Sequence, residues 1–315
     1  MIDDTNTRII LELEKNGRIS FSHLAESLRL NISTVNKRVH SLIEDDVITI
    51  RAVPNPYKMG YTANAFIGMN VANNSLDDMC AWLRGNINVS MLLTTFGRFN
   101  LIATVQFTSW DVLVHFISTE LPAAGSILEM ETFLIKDVKK RYQNIFSEQV
   151  SRKTPPKIDS IDQKIIEELI ENGRYTAKYL ADKLGISLSA VSRRLSHLLK
   201  ENLIRVYAIA DSTKLGYHAN AFVLIRADAD KIAGICECLY PYNEVITIMT
   251  LANGYDIVVS IVARDMETLY ELNKNRIAGL PGINSVETLV RGHVIKRYYG
   301  AFTVEKQLRA ETRNK

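Results

Sequence analysis

The sequence predicts an α+β protein in which one unit occurs twice, each copy opening with helices and closing with alternating strands and helices. The first observation behind this is an internal repeat. Residues 31–48, NISTVNKRVHSLIEDDVI, return as residues 187–204, SLSAVSRRLSHLLKENLI, at an offset of 156 residues. The same offset carries Ile2-Asp3 to Ile158-Asp159, Asn16-Gly17-Arg18 to Asn172-Gly173-Arg174, and Lys140-Arg141-Tyr142 to Lys296-Arg297-Tyr298. It also carries Gly60-Tyr61-Thr62-Ala63-Asn64-Ala65-Phe66 to Gly216-Tyr217-His218-Ala219-Asn220-Ala221-Phe222. Such a unit is too long for a solenoid repeat, so each copy is expected to fold as its own module. The second observation is that the apolar period changes from helical to strand-like inside each copy. The expected domains are therefore 1–60 and 158–216, both helical, and 61–150 and 217–315, both built on strands.

The bulk composition bounds the classes of function. A chain of 315 residues with 47% hydrophobic and 23% charged residues matches a globular protein with several cores. No apolar run approaches membrane-spanning length, and MIDDTNTR does not read as a signal peptide, so no membrane partner and a cytoplasmic location are expected. The net charge of +3 neither requires nor forbids nucleic acid, because a basic face can coexist with acidic surfaces. Cys80 and Cys236 are repeat counterparts in the same amphipathic helix, which reads as core filling. Cys236 and Cys238 point to different helix faces without a His or Cys partner nearby, so neither a metal site nor a cofactor is expected.

In the helical domains, a first helix over about Asp4–Lys15 presents Ile9, Ile10 and Leu13 on one face and stops at Asn16-Gly17. Its counterpart opens with Ser160 and Gln163 as a capping-box pair. Ser20 caps a second helix with Leu24, Ala25 and Leu28, and Thr176 caps its twin with Leu180, Ala181 and Leu184. Gly185 ends the twin in a left-handed turn, whereas the first copy holds Arg29 there, at a cost on the order of 1 kcal/mol if the conformation is kept. The third helices bury Ile32, Val35, Val39 and Leu42 in one copy and Leu188, Val191, Leu195, Leu198 and Leu199 in the other. Exposed opposite are Ser33, Lys37 and His40, with Asn36 beside them, and Ser189, Arg193, Ser196 and Lys200, with Ser192 beside them. Small hydroxyls and cations near the start of an exposed helix suit base edges and phosphates. The pattern is a helix-turn-helix, and Ile48–Val53 forms a strand leaving it before Pro54, Pro56 and Gly60.

The strand domains read as βαββαβ, a split βαβ of ferredoxin-like type. In the first copy the elements are Ala63–Val71, Leu76–Leu83, Val89–Phe96, Leu101–Phe107, Trp110–Leu121 ended by Pro122, and Ile127–Val138. In the second they are Ala219–Ala227, Ile232–Leu239, Val245–Leu251, Asp256–Val262, Met266–Ile277 and Ile283–Ile295. Residues 151–157, SRKTPPK, form a short stiffened linker between the copies. Each βαββαβ sheet has a face to cover, and the tethered second copy offers the cover, within the chain or by symmetric exchange between chains. The fold class is thus α+β, with two winged-type helix-turn-helix domains and two βαββαβ domains.

The helix-turn-helix, the connecting strand, the Gly-Tyr step and a βαββαβ module with a turn such as Asn253-Gly254-Tyr255-Asp256-Ile257 resemble the Lrp/AsnC feast-famine transcription regulators. The resemblance covers nearly the whole chain, twice over. It implies a sequence-specific DNA-binding regulator whose partners are double-stranded DNA, an amino acid or other small effector, and further βαββαβ domains in self-association. It departs from the family in its tandem copy, one chain supplying what two chains usually supply. The resemblance also gives Arg38 and Arg194, on the flank of each third helix, a phosphate contact; an ion pair that fixes the helix pair is the alternative.

The hairpin turns are the candidate effector sites, the family pattern there being roughly Gly, any residue, aromatic, Asp. The first copy holds Gly97, Arg98, Phe99 and Asn100, and the second Asn253, Gly254, Tyr255 and Asp256. A carboxylate there could pair with an ammonium and backbone N–H groups with a carboxylate, although turn chemistry alone also explains these residues. An enzyme reading stands beside the regulator, because siroheme decarboxylases resemble Lrp/AsnC proteins and Phe99-Asn100-Leu101 is similar to their aromatic-Asn-Leu step after a histidine. That histidine's position is Gly97 in one copy and Asn253 in the other, which leaves no proton donor in either hairpin. A metabolite sensor without DNA binding is the third reading, and the cationic, acid-free face of Ser187–Lys200 speaks against it.

Overall fold

The computed structural model describes residues 3–56, 58–86, 88–140 and 158–297, so the linker expected at 151–157 lies outside the described residues. The chain folds into two compact units that alternate along the sequence. One unit joins Met1–Met59 with Thr154–Gly216, and the other joins Gly60–Lys153 with Tyr217–Lys315.

The helical unit contains α1 (Asp4–Lys15), α2 (Phe21–Leu28), α3 (Ile32–Glu44) and β1 (Ile48–Pro54), repeated as α7 (Ser160–Glu171), α8 (Ala177–Leu184), α9 (Leu188–Lys200) and β6 (Ile204–Ala210). Ser20, Thr176 and Ser187 accept from the third backbone N–H after them, as N-caps do. The capping box of α7 differs from the expected one. Asp159 and Asp162 form it, because a carboxylate one residue earlier reaches the free N–H groups that Ser160 was expected to serve. Both α2 and α8 end in left-handed residues, Gly185 at φ 69° and Arg29 at φ 56°, so the first copy carries the strain that the second avoids.

The two helical halves join through β1 and β6. These strands pair antiparallel from Ile48↔Ala210 to Pro54↔Ile204, placing Arg51 opposite its own repeat counterpart Tyr207. A pseudo-twofold axis therefore passes through that pair. The Asn-Gly-Arg step serves this junction as well as stopping a helix. Gly17 N–H donates to Val206 and Gly173 N–H to Ile50, both at 2.8 Å. A side chain at Gly17 would lie 2.8 Å from the Tyr207 backbone, and one at Gly173 would lie 2.5 Å from Val206 Cγ1.

The second unit holds β2 (Ala63–Val71), α4 (Leu76–Gly85), β3 (Val89–Phe96), β4 (Leu101–Phe107), α5 (Trp110–His115), α6 (Leu121–Ala123) and β5 (Ile127–Lys140). Its second copy is β7 (Ala219–Ala227), α10 (Ile232–Leu239), β8 (Val245–Leu251), β9 (Ile257–Ala263), α11 (Met266–Glu271) and β10 (Ile283–Arg297). Wide π-type turns extend α5 over Phe116–Glu120 and α11 over Leu272–Ile277. Pro122 does not end the first of these helices as expected; it sits in the opening turn of α6, where a missing N–H costs little.

Each copy forms a four-stranded sheet, and the sheets close edge to edge into one eight-stranded barrel ordered β10-β3-β4-β2-β5-β8-β9-β7. The seams are β5 with β8, as in Ile135↔Leu251, and β10 with β3, as in Val290↔Phe96. Intramolecular pairing of the two copies is thus what the chain adopts. Period-2 alternation separates the cores. One strand face packs on helices, as Ala65, Ile67 and Met69 do against Met79 and Leu83, and the other fills the barrel with Phe66, Phe99, Phe133, Phe222 and Leu289.

Candidate nucleic-acid interface and effector site

Both third helices present their polar faces outward. Ser33, Asn36, Lys37 and His40 are exposed on α3, as are Ser189, Ser192, Arg193, Ser196 and Lys200 on α9. Packing of Val35, Val39 and Leu42, or of Val191, Leu195 and Leu198, against the first helices fixes which face is turned out. Among the described residues Lys37 and Arg193 form no ion pair. The His40 ring lies edge-on to Phe21 at 6.2 Å, and Arg174 of the other copy stacks on that same Phe21 at 4.5 Å.

Two expected buried residues are out in solvent. Ile32 is 55% exposed and Leu188 is 51% exposed, at the first position of each third helix. The wheel placed them on the apolar stripe, but the stripe begins one turn later, where the preceding helix first comes within reach.

Arg38 and Arg194 are engaged within the protein. Arg38 donates to Asp3 at 2.7 Å and to Asn6 at 2.8 Å. Arg194 reaches Asp159 at 2.7 Å and Asp162 at 2.8 Å. Backbone N–H groups at the helix start, with these arginines, hold the Asp3 and Asp159 carboxyls below their ordinary range. Each arginine thus ties the third helix of its copy to the start of the first.

The hairpin residues are likewise committed to joining strands. Asn100 accepts from Val71 N–H and donates to Val71 O, bridging back to β2. Asn253 accepts from Leu134 N–H and donates to Thr132 O, a pair of bonds across the seam to the other copy. Asp256 accepts from Ala227 N–H at 2.8 Å. Gly254 has φ 75° and sits so close to Phe133 that a Cβ would approach the ring to 2.7 Å. Gly97 packs on Thr288 and Leu289 of β10. Arg98 bonds Glu129 and Glu131; burial works against its charge, and Glu129, Tyr255, Glu131 and Glu287 around it outweigh that and hold it charged. Burial, then the bonded Glu287, push the Tyr255 hydroxyl up. Missed by sequence reasoning were Arg18 and Arg174, whose signal was present in the repeated Asn-Gly-Arg but was read only as a helix stop.

Among the described residues no cluster of His, Cys, Asp and Glu could hold a metal, and no helix is long and apolar enough to cross a membrane.

Residues 2–49 and 158–205 match the family described as winged helix-turn-helix DNA-binding, and residues 220–300 match the Lrp/AsnC ligand binding domain. Together these matches cover more than half of the chain. The chain belongs to the Lrp/AsnC family. Relatives named as HTH-type transcriptional regulators align with a little under half of it. An uncharacterized HTH-type transcriptional regulator of Pyrococcus horikoshii is 29% identical over 143 residues, 45% of this chain and 90% of that protein. The HTH-type transcriptional regulator FL11 of Pyrococcus abyssi is 30% identical over 136 residues, 42% of this chain and 88% of that protein. Among solved structures, the siroheme decarboxylase NirDL superposes over 98% of this chain and 100% of its own, with a TM-score of 0.67 and 16% identity, a likeness of fold.

Proposed function

We propose that this Lrp/AsnC chain is a sequence-specific DNA-binding transcription regulator in which one polypeptide supplies both reading heads. The observation that carries this reading is the pair of exposed third helices in one pseudo-twofold unit. A twofold arrangement of recognition helices suits two half-sites on a duplex. In this reading Ser189, Ser192, Arg193, Ser196 and Lys200 meet one half-site, and Ser33, Asn36, Lys37 and His40 meet the other. Arg38 and Arg194 act chiefly by holding the helices, since their guanidinium groups are already bonded to carboxylates.

The relatives named as regulators and the ligand-domain match support an effector-responsive protein working in the cytoplasm, with βαββαβ domains available for self-association. They favour a binding protein over an enzyme. The hairpin positions Gly97 and Asn253 offer no group that exchanges protons near neutral pH, which weighs against decarboxylase chemistry. Selection of duplexes from a random pool by the full chain tests the reading. It should enrich an imperfect palindrome with half-site centres about one helical turn, or a multiple, apart; a pool that enriches nothing would overturn it.

A further inference from the structure

Each strand that leaves a reading head ends its pairing near the tip of the opposite copy's third helix. Asn55 N–H donates to Leu203 O at 2.8 Å, and its repeat counterpart Asp211 N–H donates to Val47 O at 2.9 Å. A single turn follows in both copies, closed by Met59 N–H on Asn55 O and by Leu215 N–H on Asp211 O. Each turn presents a lysine. Lys58 Nζ donates to Glu201 O at 2.5 Å, and Lys214 Nζ donates to Asp45 O at 2.5 Å. Glu201 and Asp45 are the C-cap residues of α9 and α3. Lys58 and Lys214 are counterparts at the 156-residue offset, as are Asp45 and Glu201, so the same crossed contact is made twice.

The last carbonyls of a helix have no N–H of their own helix to meet, and they form the negative end of its dipole. An ammonium at that end satisfies a carbonyl and offsets the partial charge. Left-handed residues, Asp46 at φ 52° and Asn202 at φ 51°, then turn the chain out of each helix. Each third helix is consequently held at two points by two different copies. Arg194 ties the flank of α9 to the start of α7 in its own copy, while Lys58 of the other copy holds its C-terminal end. Arg38 and Lys214 do the same for α3. Two points fix the direction of a rod that one point leaves free to swing. The lysines also stand where the chain leaves the helical unit. Gly60 and Gly216 follow at φ 87° and 86°, and β2 and β7 begin at Ala63 and Ala219.

We propose that Lys58 and Lys214 are crossed positioning residues for DNA reading. Lys58, in the first copy, sets the direction of the α9 head, and Lys214, in the second copy, sets that of the α3 head. The inference rests on the reading that the third helices contact a duplex. Each lysine acts through the opposite helix rather than by touching a base or phosphate itself. A displacement of the segment that leads into β2 therefore reaches the head of the other copy, not its own.

Affinities of the full chain for a selected duplex, and for versions scrambled in one half-site, test it. Arg193→Ala and Lys37→Ala first show which half-site each head reads, since each variant loses preference at its own. Lys58→Met should then cut discrimination at the α9 half-site by about fivefold, the worth of one hydrogen bond, and leave the α3 half-site as in wild type. Lys214→Met should do the reverse. Combined with Arg193→Ala, Lys58→Met should add little, whereas combined with Lys37→Ala the two losses should multiply. Lys58→Arg keeps a donor and should keep discrimination, and Lys214→Met decides the matter if the Lys58 variants do not fold. Equal losses at both half-sites, a loss confined to the lysine's own copy, or no loss would overturn the crossing. So would uniform weakening on every sequence, the mark of a direct phosphate contact. A wild type that selects no duplex would overturn the DNA reading itself and this inference with it.

Discussion

Arg18 and Arg174 clasp each other's copy. Arg18 donates to Gly173 O and to Tyr175 O at 3.1 Å, and Arg174 donates to Gly17 O at 2.8 Å and Ile19 O at 3.2 Å. The two reciprocal forks hold the helical halves on either side of the β1–β6 pair. Replacing either arginine with Ala strands carbonyls in a half-buried junction. It should lower the stability of the helical unit by about 2–3 kcal/mol in a denaturant titration. Lys should not rescue it, because one ammonium cannot span both carbonyls as a planar fork does.

The exposed Ile32 and Leu188 have a use if the third helices enter a major groove. The first residues of a recognition helix meet base edges, and the apolar feature there is the thymine methyl. On a selected duplex, replacing the facing thymine by uracil should weaken the wild type by several-fold and leave Leu188→Ala almost indifferent. Equal losses in both proteins would remove Leu188 from base reading.

Much of this architecture was legible in the sequence because the repeat and the changes of period are local signals. The strand boundaries, the N-caps Ser20, Thr176 and Ser187, and the left-handed Arg29 all follow from neighbouring residues. What was not legible depends on contacts far along the chain. Asn253 reads as a hairpin turn whether or not its amide crosses to Leu134, and Gly17 reads as a helix stop whether or not Tyr207 presses on it. Ile32 and Leu188 fit the helical wheel, and only the reach of the neighbouring helix decides that they stay in water.

Lys296 gives the protein a pH dependence with a definite sign. Burial, and then the nearby Arg84, push its ammonium down to about 8. The folded state therefore loses this proton while the unfolded chain still binds it, up to the ordinary lysine range near 10.5. Stability contributed by this group rises with pH across that window, since the unfolded state holds more protons there. The stability of wild type relative to Lys296→Met should accordingly increase between about pH 8 and pH 10.5; a constant difference would contradict the depressed value.

The two reading heads should be unequal. The third helix of the second copy, α9, is free of carboxylates through Lys200 and carries Arg193 and Lys200 outward, while α3 ends in Glu44 followed by Asp45 and Asp46. Negative charge at a helix C-terminus opposes the dipole and repels phosphates within roughly 8 Å at physiological salt. On one selected duplex at fixed salt, Arg193→Ala should cost more affinity than Lys37→Ala. A larger loss from Lys37→Ala would assign the stronger head to the first copy.

The salt dependence of duplex binding by wild type and Arg193→Ala reaches the DNA-binding claim most directly. If Arg193 meets a phosphate, its loss should weaken binding on all sequences and flatten the logarithmic salt slope by about one unit. If it reads a guanine, discrimination at one base pair should fall by about 1–3 kcal/mol. An unchanged affinity, slope and sequence preference in Arg193→Ala would contradict DNA reading by the exposed face of the third helix.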